Sequence, residues 1–424
     1  THTHTHTHTP QESRTKLHKK IAAFFVCFRQ SDDFDAIRSK FATLERRQSS
    51  PSSPTSLRID RHKSRELDSQ DDIKKRLEVC EKGSMELPKY SAVINSNNFA
   101  NALKATWIVA DILSIVDILR TPEERFKHSD TIIKIFSRVK EMLIIPRIVL
   151  FLKEVEHPKL QYHAARVIAY YAPGPRIAHT PKDSAIHPDK MLHKIEVVRA
   201  GAVPILRDLL SSPHLEVRKQ SAEALGALAS YNHEARDFIQ EKGVIPKLIK
   251  MINPQTPLSL LRPVTWTLSI FCGHTHDIKN FPPNTKALYP ALERFNFIIN
   301  KRGDTETLIN TCCAMSYLLP GIHMHKSVVK RLTDLLKYPD NTLKTVLLHS
   351  FTDLVRLDNT NVRDFFDAGL LVNVQNLLKS STAAEDYQIR LRVCDLVATL
   401  AGEKGYVQDV ITAGLIPTKK NILF

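Results

Sequence analysis

Apolar residues recur in helix-like stretches at nearly regular intervals from residue 143 to the end of the chain. Each stretch opens with a Pro-type turn, continues in a short apolar helix and closes with a longer helix rich in Ala and Leu. The clearest copy covers residues 201–230, GAVPILRDLLSSPHLEVRKQSAEALGALAS. Successive copies are 58, 42, 44, 40, 42 and 45 residues apart when they are aligned on one turn position, which falls at Pro146, Pro204, Pro246, Pro290, Lys330, Val372 and Pro417.

A period near 42 residues with helical texture predicts an all-α solenoid of the HEAT or armadillo type. We therefore expect residues 91–424 to form one right-handed superhelical armadillo-repeat domain, with its last repeat incomplete. A single repeat cannot bury the apolar faces of its helices alone, so its neighbours complete the core. In the copy at 201–230 the predicted core residues are Ile205, Leu206, Leu209, Leu210, Ala222, Leu225 and Leu228.

The first 90 residues lack this pattern. Residues 1–57 are predicted to be a disordered low-complexity extension, with alternating Thr and His at the start and a Ser/Pro-rich stretch near residue 50. Residues 58–90 form a charged, basic segment and a linker. The chain starts at Thr1 and stops soon after Pro417, so we expect both ends to be those of a fragment.

Two local features mark the start of a helix before the repeats and an insertion between two of them. Asn95 to Asn98 mark the start of a helix whose predicted apolar face is Ala100, Leu103, Trp107 and Ile108. The one long spacing between copies comes from residues 175–193, PRIAHTPKDSAIHPDKMLH, which are predicted to be a loop insertion.

Composition is that of a soluble folded protein, with 42% hydrophobic and 25% charged residues. The net charge of +15 is spread along the chain, because residues 1–90 hold 18 basic and 13 acidic residues and the rest hold 42 and 32. A diffuse excess indicates acidic partners or simply a solvated basic surface. The six cysteines show no disulfide framework, and we interpret them as reduced core residues.

Catalytic chemistry finds no support in the sequence. No Gly-rich phosphate loop, HExxH or GxSxG motif occurs. The HxH pairs at His274/His276 and His323/His325 would need further zinc ligands, and His179, His187 and His193 are the nearest candidates. Surface histidines are the simpler interpretation, so we predict no catalytic residues, no metal site and no cofactor.

Four segments resemble the importin-α family: VTWTLSIFC (264–272), TCCAMSYLLPG (311–321), INSNNFANALKATWIVADILS (94–114) and AGAVPILRDLLSSPHLEVRKQSAEALGALAS (200–230). The resemblance covers roughly residues 90–424. It implies a nuclear import adaptor that moves between cytoplasm and nucleus and links cargo to importin-β. In that family a Trp, with an Asn four residues later, lines a concave groove that binds the basic nuclear localisation signal of the cargo. It implies no membrane partner and no specific nucleic acid.

The positions of this chain that correspond to the family's groove are largely changed. We call them the groove positions: Arg166, Tyr170, Glu223, Ala227, Tyr231, Trp266, Ile270, Cys313, Tyr317, His349, Asp353, Asp395 and Thr399. Only Trp266 and Tyr317 keep the residue that the family uses. Two functions therefore stay open: an import adaptor with a modified groove, and an armadillo scaffold that has lost classical signal binding and binds another protein.

A basic segment before the repeats has a weaker resemblance to the family's importin-β-binding region. RELDSQDDIKKRLEV (65–79) is similar to part of it, although Asp68, Asp71 and Asp72 dilute its charge. A solvated linker is the alternative. If the resemblance holds, it implies that the contacts to importin-β are Arg58, Arg61, Lys63, Arg65, Lys74, Lys75 and Arg76.

Overall fold

A computed structural model describes residues 70–119, 122–175, 188–230, 232–273, 283–302, 304–319, 322, 324–357, 361–381, 386–403 and 405–415. The predicted extension at 1–57 and residues 58–69 of the basic segment lie outside the described residues. Throughout the described ranges the regular structure is helical, without a strand, which confirms the all-α prediction. None of the helices in these ranges combines the length and apolar character needed to cross a membrane.

The described residues divide into two compact units, with the division after Ala314. The helices of the first unit are α1 (Gln70–Met85), α2 (Leu87–Ile94), α3 (Phe99–Leu113), α4 (Ile115–Ile118), α5 (Pro122–Lys127), α6 (Ser129–Glu141), α7 (Ile145–Phe151), α8 (Pro158–Tyr171), α9 (Pro188–Arg199), α10 (Ala202–Leu209), α11 (Leu215–Ala229), α12 (His233–Glu241), α13 (Val244–Lys250), α14 (Leu258–Cys272), α15 (Ala291–Phe297) and most of α16 (Thr305–Leu318). A 3-10 turn at Thr285–Ala287 and a π-helical segment at Ile298–Arg302 flank α15.

Glycine forms the turn that opens several of the repeats. Gly201 and Gly243 have φ angles of +82° and +75°, and each is followed directly by a short helix, α10 or α13. Left-handed backbone is accessible to glycine without a steric penalty, so the chain reverses there between two helices. The prolines that mark the period, such as Pro204 and Pro246, lie in the first turn of these helices and are exposed.

The long helices of the first unit pack side by side in chain order, α3 on α8, α8 on α11 and α11 on α14. The short helices that precede them cover one side, as α10 does for α11. Of the predicted core residues at 201–230, Leu206, Leu210, Ala222, Leu225 and Leu228 are buried. Ile205 and Leu209 are only half-buried, because α10 is a surface helix that buries one face.

The first unit starts earlier than the sequence pattern indicated. Helices α1 and α2 pack against α3, and α1 also contacts α6. Leu77, Cys80 and Leu87 are buried there, so the segment interpreted as a linker contributes to the core. The Arg138 side chain on α6 secures this packing by donating to the Ser84 hydroxyl at 2.6 Å.

The predicted apolar face of α3 is wrong, although its start is correct. The Asn98 side chain accepts a hydrogen bond from the Asn101 backbone N–H at 3.0 Å and caps the helix. The buried residues are Ala102, Ala105, Thr106, Val109, Ala110, Ile112 and Leu113. Because α3 has helices on two sides, its small residues face the neighbours, and Trp107 is only half-buried.

The insertion predicted at 175–193 is partly helical. Pro188 begins α9, which suits proline at a first helical position, and residues 176–187 lie outside the described part of the chain. On α9, His193 is buried with its ring 4.6 Å from that of Tyr171 and 5.7 Å from that of Phe136. This candidate zinc ligand therefore packs in the core among aromatic rings.

The second unit contains the end of α16 and the helices α17 (Lys326–Asp334), α18 (Asn341–Leu357), α19 (Val362–Asp367), α20 (Leu370–Ser380), α21 (Tyr387–Gly402) and α22 (Val407–Thr412). Helix α18 packs along α21, with Leu348 and Leu396 fully buried. The buried Asn361 side chain joins this unit together, since its Nδ2 donates to the Ile322 carbonyl at 2.8 Å and its Oδ1 accepts from the Met324 N–H at 2.9 Å.

Candidate functional site

The described groove positions all lie on the long helices. In the first unit, α8 carries Arg166 and Tyr170, α11 carries Glu223 and Ala227, α14 carries Trp266 and Ile270, and α16 carries Cys313. In the second unit, α16 carries Tyr317, α18 carries His349 and Asp353, and α21 carries Asp395 and Thr399. Tyr231 lies outside the described residues.

Three of these positions do not line a surface. The side chains of Ala227, Ile270 and Cys313 are buried in their helix packing, with at most 4% of each residue exposed. They are small or aliphatic groups, and they face neighbouring helices. The expectation that they contact a peptide is therefore corrected, since they present almost no surface to one in this structure.

Trp266 is partly exposed and lies over the neighbouring helix α11. A methyl group added at Gly226 would be 2.4 Å from the Trp266 Cζ3 atom, so the indole ring rests directly on the Gly226 backbone. Next to it, the Thr267 hydroxyl donates to the Ala222 carbonyl at 2.7 Å and holds α14 against α11. Glu223 is three residues before Gly226 on the same face of α11, and its carboxylate accepts a hydrogen bond from Gln220 Nε2 at 2.8 Å.

Arg166 is buried and paired within the chain. Its Nη1 atom is 2.6 Å from Oδ1 of Asp111 on α3, and its guanidinium lies 5.4 Å from the centre of the Tyr170 ring. Burial disfavours the charged form, but Tyr170 and Asp111 outweigh that effect and raise the pKa of Arg166 above its ordinary value. Arg166 is thus a fixed cation with its own carboxylate partner rather than an open groove residue.

Sequence reasoning missed Asp111, although a signal for it was present. Asp111 follows Trp107 by four residues on α3, the same spacing as the Trp and Asn pairs of the importin-α groove. Residues four apart lie on one face of a helix. The apolar pattern of this helix gives no indication of the pair, because Asp111 is polar.

The charged groove positions of the second unit are also engaged with neighbours. The Asp395 carboxylate is 2.6 Å from Nη2 of Arg356, and His349 Nε2 is 3.7 Å from the Asp353 carboxylate. Burial raises the pKa of Asp353 to about 6, with Arg356 opposing and Asp395 adding to that shift. The negative charge of Asp395 is therefore partly balanced by the protein's own Arg356.

The basic segment is described only from Gln70 onward. Lys74 and Lys75 are exposed on α1, whereas Arg76 is half-buried, and Arg58, Arg61, Lys63 and Arg65 lie outside the described residues. The same helix buries Leu77 and Cys80. In the part of the chain that the structure describes, no group of three or more His, Cys, Asp or Glu side chains is arranged to hold a metal ion.

Comparison with known proteins finds relatives of this chain. The family model of the Armadillo/beta-catenin-like repeat matches residues 192–230. The chain is 30% identical over 301 residues to importin subunit alpha-1b of Oryza sativa subsp. japonica, which covers 70% of this chain and 50% of that protein. The chain is related to the importin-α family. It is also 29% identical over 301 residues to importin subunit alpha-3 of Arabidopsis thaliana, again over 70% of this chain and 50% of the relative.

The chain spans about half the length of these importin-α relatives. Among solved structures, an engineered protein superimposes with a TM-score of 0.53 at 18% identity, over 84% of this chain and 94% of the engineered one. At that identity the likeness concerns the fold alone. The fold is that of an armadillo-repeat protein, as the period predicted.

Proposed function

We propose that this chain is a nuclear import adaptor. In this proposal it receives the basic nuclear localisation signal of a cargo protein on its long helices, links it to importin-β and moves between cytoplasm and nucleus. The relationship to importin-α subunits over 70% of the chain supports the general role of an armadillo adaptor.

The observation that carries the proposal is the position of Trp266, whose ring lies on helix α11 at Gly226, three residues after Glu223. Trp266 is half-buried, and the nearby Glu223 carboxylate accepts a hydrogen bond from Gln220 Nε2 at 2.8 Å. An aromatic face beside a carboxylate suits a Lys or Arg side chain, because the ring attracts the cation and covers its aliphatic stem. The exposed Lys74 and Lys75 on α1 are available for importin-β.

A second function is favoured by the other groove positions. Ala227, Ile270 and Cys313 are buried, and Arg166 is already paired. These features suit an armadillo scaffold that has lost classical signal binding and binds a different protein partner. The two functions differ in their affinity for a basic peptide.

The test is a fluorescence anisotropy titration of a labelled monopartite basic signal peptide. We expect weak binding, with a Kd above about 10 µM near 0.15 M salt, and a loss of affinity as salt rises, because exposed charge pairs contribute only about 0–1 kcal/mol each and are screened. Residual affinity should depend more on the region of Asp353 and Asp395 than on that of Arg166.

Variants decide between the two functions. Trp266→Ala should abolish peptide binding, whereas Phe126→Ala, which removes an exposed aromatic ring from the short helix α5, should leave it unchanged. The wild-type protein should co-elute with importin-β in size-exclusion chromatography. Undetectable peptide binding at millimolar concentration, or binding that Trp266→Ala does not affect, would instead support the scaffold.

A further inference from the structure

The buried cation on α8 has surroundings that would suit a ligand. The Arg166 side chain is 8% exposed, and its Nη1 atom is 2.6 Å from the Asp111 carboxylate on the neighbouring helix α3. Its guanidinium lies over the ring of Tyr170, one turn along the same helix, at 5.4 Å. A carboxylate and an aromatic face together are the groups with which proteins hold a guanidinium.

The three residues are positioned by two helices that pack along each other in the first unit. Tyr170 follows Arg166 by four residues, so both lie on one face of α8. Asp111 is near the end of α3, and its side chain is only 20% exposed. A carboxylate this far removed from water is destabilised without a nearby cation, so its position between the two helices favours a positive group.

We propose that Asp111 and Tyr170 form a guanidinium site that the chain fills with its own Arg166. Arg166 is then a specificity-determining residue, because it closes this part of the helix surface to the basic side chains of a peptide. Basic side chains would be received further along, where Trp266 and Glu223 lie. The peptide part of this proposal rests on the proposed function, whereas the existence of the cation site does not.

The chemistry of the site supplies a direct test by cation rescue. Arg166→Ala leaves Asp111 and Tyr170 with a vacated space of guanidinium size. Methylguanidinium at millimolar concentration should then raise the Tm of Arg166→Ala and shift the NMR signals of the Tyr170 ring. The wild-type protein, whose site is filled, should show neither effect beyond the ordinary influence of salt, measured with equal NaCl.

Two control variants separate this site from a general loss of an ion pair. Arg166→Ala/Asp111→Asn lacks the anion, so methylguanidinium should no longer raise its Tm. Arg262→Ala removes another inter-helix arginine, whose Nη2 atom is 2.6 Å from Asp304 and whose side chain is 18% exposed. If methylguanidinium stabilises Arg262→Ala as much as Arg166→Ala, or the double variant as much as the single one, the aromatic site on α8 is disproved.

The role of Arg166 in specificity is tested by measuring the affinity of the variant and the wild type for the labelled basic signal peptide. Opening the site should increase the affinity of Arg166→Ala by about three- to thirtyfold relative to wild type, the range expected for one cation–π and carboxylate contact. Unchanged or weaker affinity in a folded variant would overturn the role in specificity. Cation rescue without any peptide binding to wild type or variant would confirm the site and refute the import function.

Folding of the variant is checked first. Should Arg166→Ala fail to fold, Arg166→Met keeps most of the aliphatic volume while removing the charge, and the same two measurements apply. Folding of either variant only in the presence of methylguanidinium would support the site. Failure of both variants to fold with the cation present would show that Arg166 is a structural residue and would overturn the proposal.

Discussion

The contact between Gly226 and Trp266 gives a quantitative test of how the long helices pack. In Gly226→Ala the new methyl group would be 2.4 Å from Trp266 Cζ3, 2.9 Å from Cε3 and 2.7 Å from the Thr267 hydroxyl oxygen. Ordinary carbon–carbon contact is about 3.5–4.0 Å, so α11 and α14 must move apart by roughly an ångström. The Thr267 hydrogen bond to the Ala222 carbonyl, now 2.7 Å, would lengthen with them.

The expected magnitude follows from three contributions. Alanine in place of glycine inside a helix contributes about 1 kcal/mol of stability. Overpacking costs about 1–3 kcal/mol, and a weakened buried hydrogen bond costs about 1 kcal/mol. Gly226→Ala should therefore lower the free energy of unfolding by about 1–3 kcal/mol, measured by urea denaturation with far-UV circular dichroism.

A control variant and a double variant test whether the loss of stability comes from the contact between Gly226 and Trp266. Gly402→Ala adds the same methyl group at the end of α21, where no heavy atom lies within 4 Å of it, so it should be neutral or stabilising. In the Trp266→Ala background, Gly226→Ala should cost less, because the ring is gone and only the Thr267 contact remains. A Gly226→Ala protein as stable as Gly402→Ala would refute the close packing of Trp266 on α11.

Two further predictions concern single residues, and both are read from the free energy of unfolding. Leu143 has a φ angle of +48° and is 73% exposed, at the turn position that Gly201 occupies in its own repeat. Leu143→Gly should therefore increase the free energy of unfolding by about 1 kcal/mol, because glycine adopts this backbone conformation without strain. A decrease would show that the leucine side chain makes stabilising contacts. Burial raises the pKa of Asp353 from its ordinary value of about 4 to about 6. The folded protein therefore binds this proton more tightly, and stability from this group is lost as pH rises from about 4 through 6. Asp353→Asn should flatten that pH dependence and be more stable than wild type at pH 7 by up to about 3 kcal/mol, and an unchanged pH profile would contradict it.

The sequence alone determined the elements and their repetition. The Gly and Pro turns at Gly201 and Gly243, the short apolar helix after each and the longer helix behind it follow from local backbone preferences and helical periodicity. Such preferences act over a few residues and are therefore visible in the chain. The repeat period then predicted the all-α armadillo fold, because no single copy can bury both of its helices.

The tertiary structure decided which side chains of those helices are covered. The same local pattern is compatible with either face of α3 being buried, and the neighbours α1, α2 and α8 select the small residues Ala102, Ala105 and Val109. The burial and pairing of the side chains at the groove positions depend on residues distant in sequence. The sequence shows only that Arg166 occupies a groove position. In the structure it is buried and paired with Asp111, because a carboxylate from another helix comes within contact distance.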